Sequence, residues 1–222
     1  ERANLWDQVY TILKKMIMQR EFPPNHKLSL PEISKQLGVS RTPIRDALNR
    51  LEMEGLVRTV PRVGTFVNAI DEDSVVDIMD TRMMIEFWVA DMIPSLPSEK
   101  VSDAAGRMES ILTESAKLIR TREFPALKLA DNNLQFHLVF VELGGNKYTV
   151  QIYREAMNYR SIAIQTALIS REMIEAAFAQ HKDIVDTMRA CDPVKIKQVL
   201  KLHLVDSRQR LIDNIKCNGG EL

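Results

Sequence analysis

Three histidines in the C-terminal two thirds of the sequence are of the residue type that most often binds metal ions in proteins. His137 shares a helix-spaced apolar stripe with Val141, and His181 shares one with Val185, so both should face inward; the pattern around His203 is less regular. Neutral imidazoles that point into a bundle from different helices can converge on a divalent metal. The spacing does not establish convergence, and inward histidines also occur as hydrogen-bonded core residues, so both interpretations stay open.

Four polar residues lie together at the start of a predicted helix nearer the N-terminus: Ser40, Arg41, Thr42 and Arg45. Arg41 and Arg45 are four positions apart and therefore share one helix face. An arginine can donate two hydrogen bonds to O6 and N7 of guanine, with roughly 1–3 kcal/mol of discrimination for each well-placed pair. Ser40 and Thr42 can donate to phosphates through hydroxyl or backbone N–H groups. The cluster predicts a DNA contact surface; the alternative is a helix face that is merely solvated.

The segments around this cluster predict a winged helix-turn-helix. Three helices are expected at 5–19, 30–37 and 41–54, with Ser29 capping the second and Ser40 capping the third. The third helix would enter the major groove with its N-terminal end.

A hairpin is expected after the third helix. Two β-prone runs, 56–60 and 65–70, flank a short turn segment. Arg62 lies at the tip, where a wing would follow the DNA backbone or probe the minor groove. Gly64 would let the main chain approach the DNA closely.

Beyond residue 71 the sequence shows only helical periodicity, interrupted by proline, glycine and capping residues. Short connections between these helices favour an antiparallel six-helix bundle. The prediction is a mainly α protein with two domains, 1–70 and 71–222. The six expected helices are 73–93, 98–121, 125–143, 146–169, 171–190 and 193–216.

Composition agrees with a folded two-domain protein and excludes a disordered or collagen-like chain: 45% of the 222 residues are hydrophobic and 27% charged. The formal charge of zero combines +4 in residues 1–70 (11 Lys and Arg, 7 Asp and Glu) with −4 in the remainder (19 and 23). This asymmetry favours a polyanion partner for the front domain only. Two cysteines without metal spacing favour the cytoplasm, and no apolar run is long enough to predict a membrane span.

One stretch of the front domain resembles the GntR family of bacterial transcription regulators. The resemblance lies in Lys27-Leu28, the run from Leu37 to Leu48, Leu51-Glu52, and the run from Glu54 to Val57. It implies that Arg41, Arg45 and Gly64 contact DNA. The helical remainder resembles the ligand-binding (FCD-type) domain of the FadR subfamily, and its six helices place it nearer the VanR-like branch.

The same resemblance implies a ligand set for a metal. Many FadR-type domains bind a divalent ion, of the zinc or nickel kind, through one Asp and three His. His137, His181 and His203 match the histidine positions, but Asn133 occupies the position of the Asp. An amide oxygen is a poorer ligand than a carboxylate for such ions and leaves their charge uncompensated. We therefore expect weaker metal binding, or an anion that completes the site.

A small carboxylate effector would close the ligand shell and neutralise its charge. Arg82 matches an arginine that recurs on the first helix of this domain in the family, and it could bind such a carboxylate with two parallel hydrogen bonds. The resemblance thus implies an effector site of Arg82, Asn133, His137, His181 and His203. The alternative for Arg82 is a surface position or an ion pair with Glu86, four residues further on.

These expectations describe a homodimeric regulator, most simply a repressor, that binds a DNA operator of two-fold symmetry and responds to a small organic acid. Two other classes stay open. One is an effector-free architectural DNA-binding protein in which the histidines are core residues. The other is a metalloenzyme, which is disfavoured because the sequence places no carboxylate as general base and Asn133 cannot accept a proton.

Overall fold

The computed structural model describes residues 5–19, 21–122, 125–166 and 171–217, and in this part the protein is mainly helical. The front elements are α1 (Leu5–Met18), β1 (Lys27–Leu28), α2 (Leu30–Leu37), α3 (Arg41–Met53), β2 (Val57–Val60) and β3 (Gly64–Val67). The rear elements are α4 (Glu72–Met92), a 3₁₀ turn (Ile93–Ser95), α5 (Ser98–Ile119), α6 (Ala126–Glu142), α7 (Lys147–Thr166), α8 (Arg171–Arg189) and α9 (Pro193–Cys217).

The two helices of the helix-turn-helix begin and end where the sequence predicts. Ser29 caps α2, its Oγ accepting a hydrogen bond from the N–H of Glu32 at 3.5 Å, and Gly38 ends α2 with a φ of 66°. That left-handed conformation favours glycine. Ser40 occupies the N-cap position of α3 as expected, but its side chain makes no capping hydrogen bond. Its hydroxyl is therefore not used within the helix.

The hairpin prediction is right in outline and wrong in two details. The sheet has three strands in the order β1-β3-β2, because Lys27 and Leu28 pair with the hairpin. A two-residue strand is too short to show a sequence pattern. The second run, expected to reach Ile70, ends at Val67, and Ile70 instead joins the apolar core at the start of α4.

The turn between β2 and β3 holds Arg62 in a conformation that favours glycine. Arg62 has a φ of 64°, follows Pro61, and lies within a turn closed by the hydrogen bond from Val63 N to Val60 O at 3.0 Å. A positive φ after proline is the pattern of a type II turn, whose third position prefers glycine or asparagine. An arginine at this position therefore raises the conformational energy of the backbone in the folded state.

The six predicted rear helices are all found, with ends within about three residues of the predicted ones wherever the structure describes them. The predicted end of the fourth, at residue 169, lies outside the described residues. Asp192 caps α9 through Oδ1, which accepts from the N–H groups of Val194 and Lys195 at 3.1 Å each, and Pro193 follows in the first turn. Proline is tolerated there because first-turn N–H groups have no helical partner.

One apolar core joins the front elements to the first rear helix and the last. Leu13 of α1 and Leu51 of α3 belong to the same buried cluster as Met79 of α4 and Leu204 and Ile215 of α9. A second cluster fills the bundle between α4, α5, α6, α8 and α9. The N-terminal part of α4 and the C-terminal half of α9 therefore pack on the DNA-binding elements. Among the described helices, none is both long and apolar enough to cross a membrane.

The wing turn generates a stability prediction. Arg62→Gly should raise the free energy of unfolding by up to about 1 kcal/mol, because glycine adopts a positive φ without the clash of a Cβ atom. Urea denaturation followed by circular dichroism measures this change.

Arg62→Ala is the control, because it removes the same charge but keeps the Cβ atom. It should give no such gain. If alanine stabilises as much as glycine, the strain lies in the side chain and not in the backbone.

Candidate DNA interface and histidine centre

The predicted DNA-contacting side chains of α3 lie exposed on one side of the front module. Ser40, Arg41, Thr42 and Arg45 are all exposed, and neither arginine forms an ion pair within the described part of the chain. By contrast, Arg50 packs its guanidinium over the ring of Tyr10, 3.8 Å from the centroid. A free guanidinium can donate to a base edge, whereas a packed one holds α1 against α3.

Lys27 places a further positive charge beside the predicted contacts of the wing. Arg62 is exposed at the tip, and Gly64 has a φ of 144°, which disfavours other residues. A Cβ atom at Gly64 would lie 2.7 Å from Cε of Lys27, so the lysine side chain lies directly against this glycine. Sequence reasoning missed Lys27 as a candidate contact, because its nearness to the wing depends on the unpredicted strand β1.

The structure brings the three predicted histidines together. The Nε2 atoms of His137 (α6), His181 (α8) and His203 (α9) form a nearly equilateral triangle, with separations of 3.2, 3.3 and 3.2 Å. All three side chains are buried, so this is an internal site.

Hydrogen bonds behind two of the rings fix which nitrogen faces the centre. Nδ1 of His137 lies 3.1 Å from Oε2 of Glu86, and Nδ1 of His203 lies 3.1 Å from Oε1 of Gln180. Both partners are acceptors, so Nδ1 of each neutral ring is the donor and Nε2 carries the lone pair. The lone pairs of His137 and His203 therefore point toward Nε2 of His181, whose tautomer these contacts do not fix. The three rings are able to hold a metal ion.

Glu86 belongs to a fully buried network that links α4 to α7. Its Oε1 accepts from Arg82 Nη2 at 3.0 Å and from Tyr153 Oη at 2.7 Å. Burial on its own raises the pKa of Glu86, but the charge that His137 carries when protonated, together with the Arg82 guanidinium, outweighs burial and lowers the pKa to about 2. The Arg82 guanidinium keeps its charge when His137 is neutral and still favours the ionised form of Glu86, so Glu86 can accept from Nδ1 of His137.

Arg82 has the ion-pair partner that the alternative interpretation named. Its Nε and Nη2 donate to Glu86 Oε1 at 3.2 and 3.0 Å, and the side chain is completely buried. Nη1 contacts Met79 Sδ at 3.8 Å. Two of the three guanidinium nitrogens are therefore occupied within the protein.

Asn133 lies one helical turn before His137, and its amide nitrogen is buried without a hydrogen-bond partner in the described structure. The neighbouring Asn132 faces the other way, with Nδ2 donating to Ser115 Oγ at 3.1 Å. A buried amide without a partner is costly, so an acceptor is expected beside it.

The residues present fit a divalent ion. Zn–N bonds of about 2.0–2.1 Å place the nitrogens of a tetrahedral site roughly 3.3–3.4 Å apart, close to the observed triangle. His137, His181 and His203 would hold the ion, and three nitrogens would leave the fourth tetrahedral position to another ligand. Among the described residues, these three form the cluster able to bind metal.

Sequence reasoning missed the residues that orient the histidines. Glu86, Tyr153 and Gln180 lie on three different helices, and only the fold brings them to the rings. Gln180 is itself held by Asp206, whose Oδ2 accepts from Gln180 Nε2 at 2.5 Å. The four-residue spacing of Arg82 and Glu86 was the sequence signal that could have pointed to Glu86 as part of the site.

Comparison with known proteins agrees with both modules. Residues 5–67 match the model of bacterial regulatory proteins of the gntR family, and residues 77–206 match the FCD domain. An HTH-type transcriptional regulator in an unstable DNA locus of Streptomyces ambofaciens is 28% identical over 91% of this chain and 83% of its own length. The HTH-type transcriptional repressor GlaR of Escherichia coli K12 is 26% identical over 88% of this chain and 90% of its own.

A solved structure shows the same overall fold. A GntR transcriptional regulator from Rhodococcus sp. RHA1 superimposes with a TM-score of 0.69 at 18% identity, covering 94% of this chain and 97% of the other. Together with the exposed arginines of α3 and the effector-binding domain behind them, these matches establish that the chain belongs to the GntR family of DNA-binding transcriptional regulators with an FCD domain.

Proposed function

We propose that this regulator is a homodimeric repressor that binds an operator of two-fold symmetry and is controlled by a small carboxylate effector held with a divalent metal. The observation that carries the proposal is the triangle of Nε2 atoms, 3.2–3.3 Å on each side. Repression is the named role of GlaR, and binding to chromosomal DNA implies a cytoplasmic location.

The DNA-binding half of the proposal rests on exposure and charge. Arg41 and Arg45 would read base edges in the major groove, while Ser40 and Thr42 would donate to phosphates. Arg62 and Gly64 of the wing would approach the adjacent backbone. The strained φ of Arg62 supports this role, because backbone strain is often retained where the side chain is needed for function.

The sensing half rests on incomplete ligation. Three neutral imidazoles leave a divalent ion with its full charge, and Asn133 adds none. A carboxylate could bind the ion with one oxygen and accept from Asn133 Nδ2 with the other, which would give that buried donor a partner. Nη1 of Arg82, whose contact in the structure is the sulfur of Met79, could donate to the same anion.

Control of DNA binding requires that the effector favour one arrangement of the DNA-binding modules over another. Helices α4 and α9 can transmit that preference. They carry Glu86 and His203 in the middle, while Met79 and Leu204 belong to the core shared with the front module. A shift of either helix at the histidine centre would therefore move residues that support α1 and α3.

Dimerisation is proposed through α4 and α7. These helices expose large apolar side chains on their outer faces: Met84 is 67% exposed, Tyr148 68%, Ile152 52% and Trp88 40%. Apolar side chains gathered on neighbouring helices commonly mark an interface. A second copy of the chain, related by two-fold symmetry, would cover this surface and place two α3 helices for two half-sites.

The histidine centre is proposed to sense and not to catalyse. Both oxygens of Glu86 accept hydrogen bonds from Arg82, Tyr153 and His137, so this carboxylate is poorly placed to take a substrate proton. An architectural role without an effector would require DNA affinity at fixed salt to be independent of metal and of small acids. Operator titration with and without chelator distinguishes that alternative.

Arg45→Ala should abolish operator preference and leave weaker, salt-sensitive binding to any DNA. Sites selected by the wild type from a random DNA pool provide the operator, and the affinity ratio of selected to scrambled DNA is measured for each variant. A loss of roughly 1–3 kcal/mol in discrimination is expected for one bidentate contact.

Arg45→Lys is the matched variant, because it retains the charge and loses the fork of two donors. It should keep the non-specific affinity but not the preference. Unchanged discrimination in Arg45→Ala would exclude Arg45 from the major groove.

Asn133→Asp should tighten metal binding by at least about tenfold, because a carboxylate is the better ligand and compensates the charge. Competition with a chromogenic chelator gives the affinity, and native mass spectrometry before and after mild chelation gives the stoichiometry, expected at about one ion per chain.

The control Asn132→Asp adds the same charge one residue away, on the side facing Ser115. It should leave metal affinity unchanged. Equal metal binding in Asn133→Asp and the wild type would show that Asn133 does not face the ion.

Met84→Asp combined with Ile152→Asp should convert the dimer to a monomer at micromolar concentration, because both substitutions place charge in the proposed apolar interface. Sedimentation equilibrium measures the mass. Leu202→Asp, on an equally exposed residue of α9, is the control and should stay dimeric. A dimeric double variant would contradict the assignment of this surface.

A further inference from the structure

A second buried donor in the rear domain lacks a partner. Nη2 of Arg210, on α9, is buried and donates no hydrogen bond in the described structure, and neither does the buried Nδ2 of Asn133. Arg210 as a whole is part-buried, but a buried N–H donor without an acceptor is unfavourable, so a partner is expected beside Nη2. One acceptor placed between the two donors would satisfy both of them.

Arg210 is on the same face of α9 as His203. Seven residues separate them, which is a rotation of only about 20° from a whole number of turns and an axial distance of about 10 Å. Ser207, between them, is buried on this inner face as well. Helical side chains lean toward the N-terminus, so the long arginine side chain leans back toward the histidine centre.

The directions of the helices place Asn133 and Arg210 on the same side of that centre. Helix α9 runs antiparallel to α4, since Arg208 lies 3.6 Å from Asp80 and Lys216 lies 3.3 Å from Glu72. Residues that follow His203 therefore lie toward the start of α4.

Helix α6 runs parallel to α4. His137 pairs with Glu86, and the ring of Trp88, further along α4, lies over Gly144 in the turn just after the end of α6. Asn133, which precedes His137, is thus also displaced toward the start of α4. Both residues with unpartnered donors therefore lie on the front-module side of the three imidazoles.

The charges nearby differ in how they are compensated. Arg82 is neutralised by Glu86 within hydrogen-bonding distance, whereas Arg210 has no ion pair with any carboxylate of the described residues. With a divalent ion on the imidazoles, the space would hold the positive charge of the ion at one end and that of Arg210 at the other.

We infer that Arg210 is a second anion subsite and that the effector is a small dianion: one carboxylate at the histidine centre and Asn133, and a second anionic group a few carbon atoms away on Arg210. This inference rests on the proposed function and specifies its ligand class. A ligand with one charged end would leave the buried Nη2 of Arg210 without an acceptor.

Matched pairs of acids test the inference on the whole 222-residue chain loaded with Zn²⁺. Isothermal titration calorimetry compares the dicarboxylates succinate, glutarate and adipate with the monocarboxylates butyrate, valerate and hexanoate, which have the same chain lengths. In the wild type, at least one dicarboxylate should bind about 10–100-fold more tightly than its partner, as a buried charge-assisted hydrogen bond would give.

Arg210→Gln should remove that advantage and leave Zn²⁺ and monocarboxylate binding unchanged. Arg208→Gln is the control, because it removes the same charge from an outward position paired with Asp80 and should keep the advantage. Arg210→Lys retains the charge, so it should keep part of the advantage even if the glutamine variant is unstable.

The results separate the two levels of the proposal. No dicarboxylate advantage in the wild type, or an advantage that persists in Arg210→Gln, overturns the second subsite while the metal-and-carboxylate site stands. Absence of Zn²⁺ binding in the wild type overturns the proposed function itself.

Discussion

The hydrogen bond between Glu86 and His137 is the interaction on which the histidine centre depends. It fixes the imidazole with its lone pair inward, and the bond from His203 to Gln180 does the same on the opposite side. Glu86 can serve in this way while fully buried because Arg82 and Tyr153 stabilise its charge. Removing any member would leave a buried polar group without a partner, so the network holds α4, α6 and α7 in one arrangement.

That requirement explains how the rear domain can be both rigid and responsive. The carboxylate network is satisfied internally, whereas Asn133 Nδ2 and Arg210 Nη2 have no hydrogen-bond partner in the described structure. A ligand that accepted from these two donors would not break the hydrogen bonds that orient the imidazoles. The unsatisfied donors lie on α6 and α9, and α9 continues directly into the core of the DNA-binding module.

Sequence reasoning recovered the helices, the helix-turn-helix and the identity of the three histidines, because each has a local signal: periodicity, caps, or a motif. It could not recover contacts between distant helices. Glu86 looked like a helix-face partner of Arg82, and nothing local connected it with His137 fifty-one residues later. The sequence did not predict strand β1 for a related reason. Two residues are too few to show a periodic pattern, and Lys27 becomes part of the wing only through pairing with Phe66.

The apolar core shared by α1, α3, α4 and α9 has a consequence for how such a regulator evolves. Leu13 and Leu51 lie in the same packed cluster as Leu204 and Ile215, so the two modules do not vary independently. Substitutions in the interior of the DNA-binding module, far from any ligand, can change the concentration of signal at which the regulator responds. New thresholds can thus arise without altering either the operator contacts or the sensing pocket.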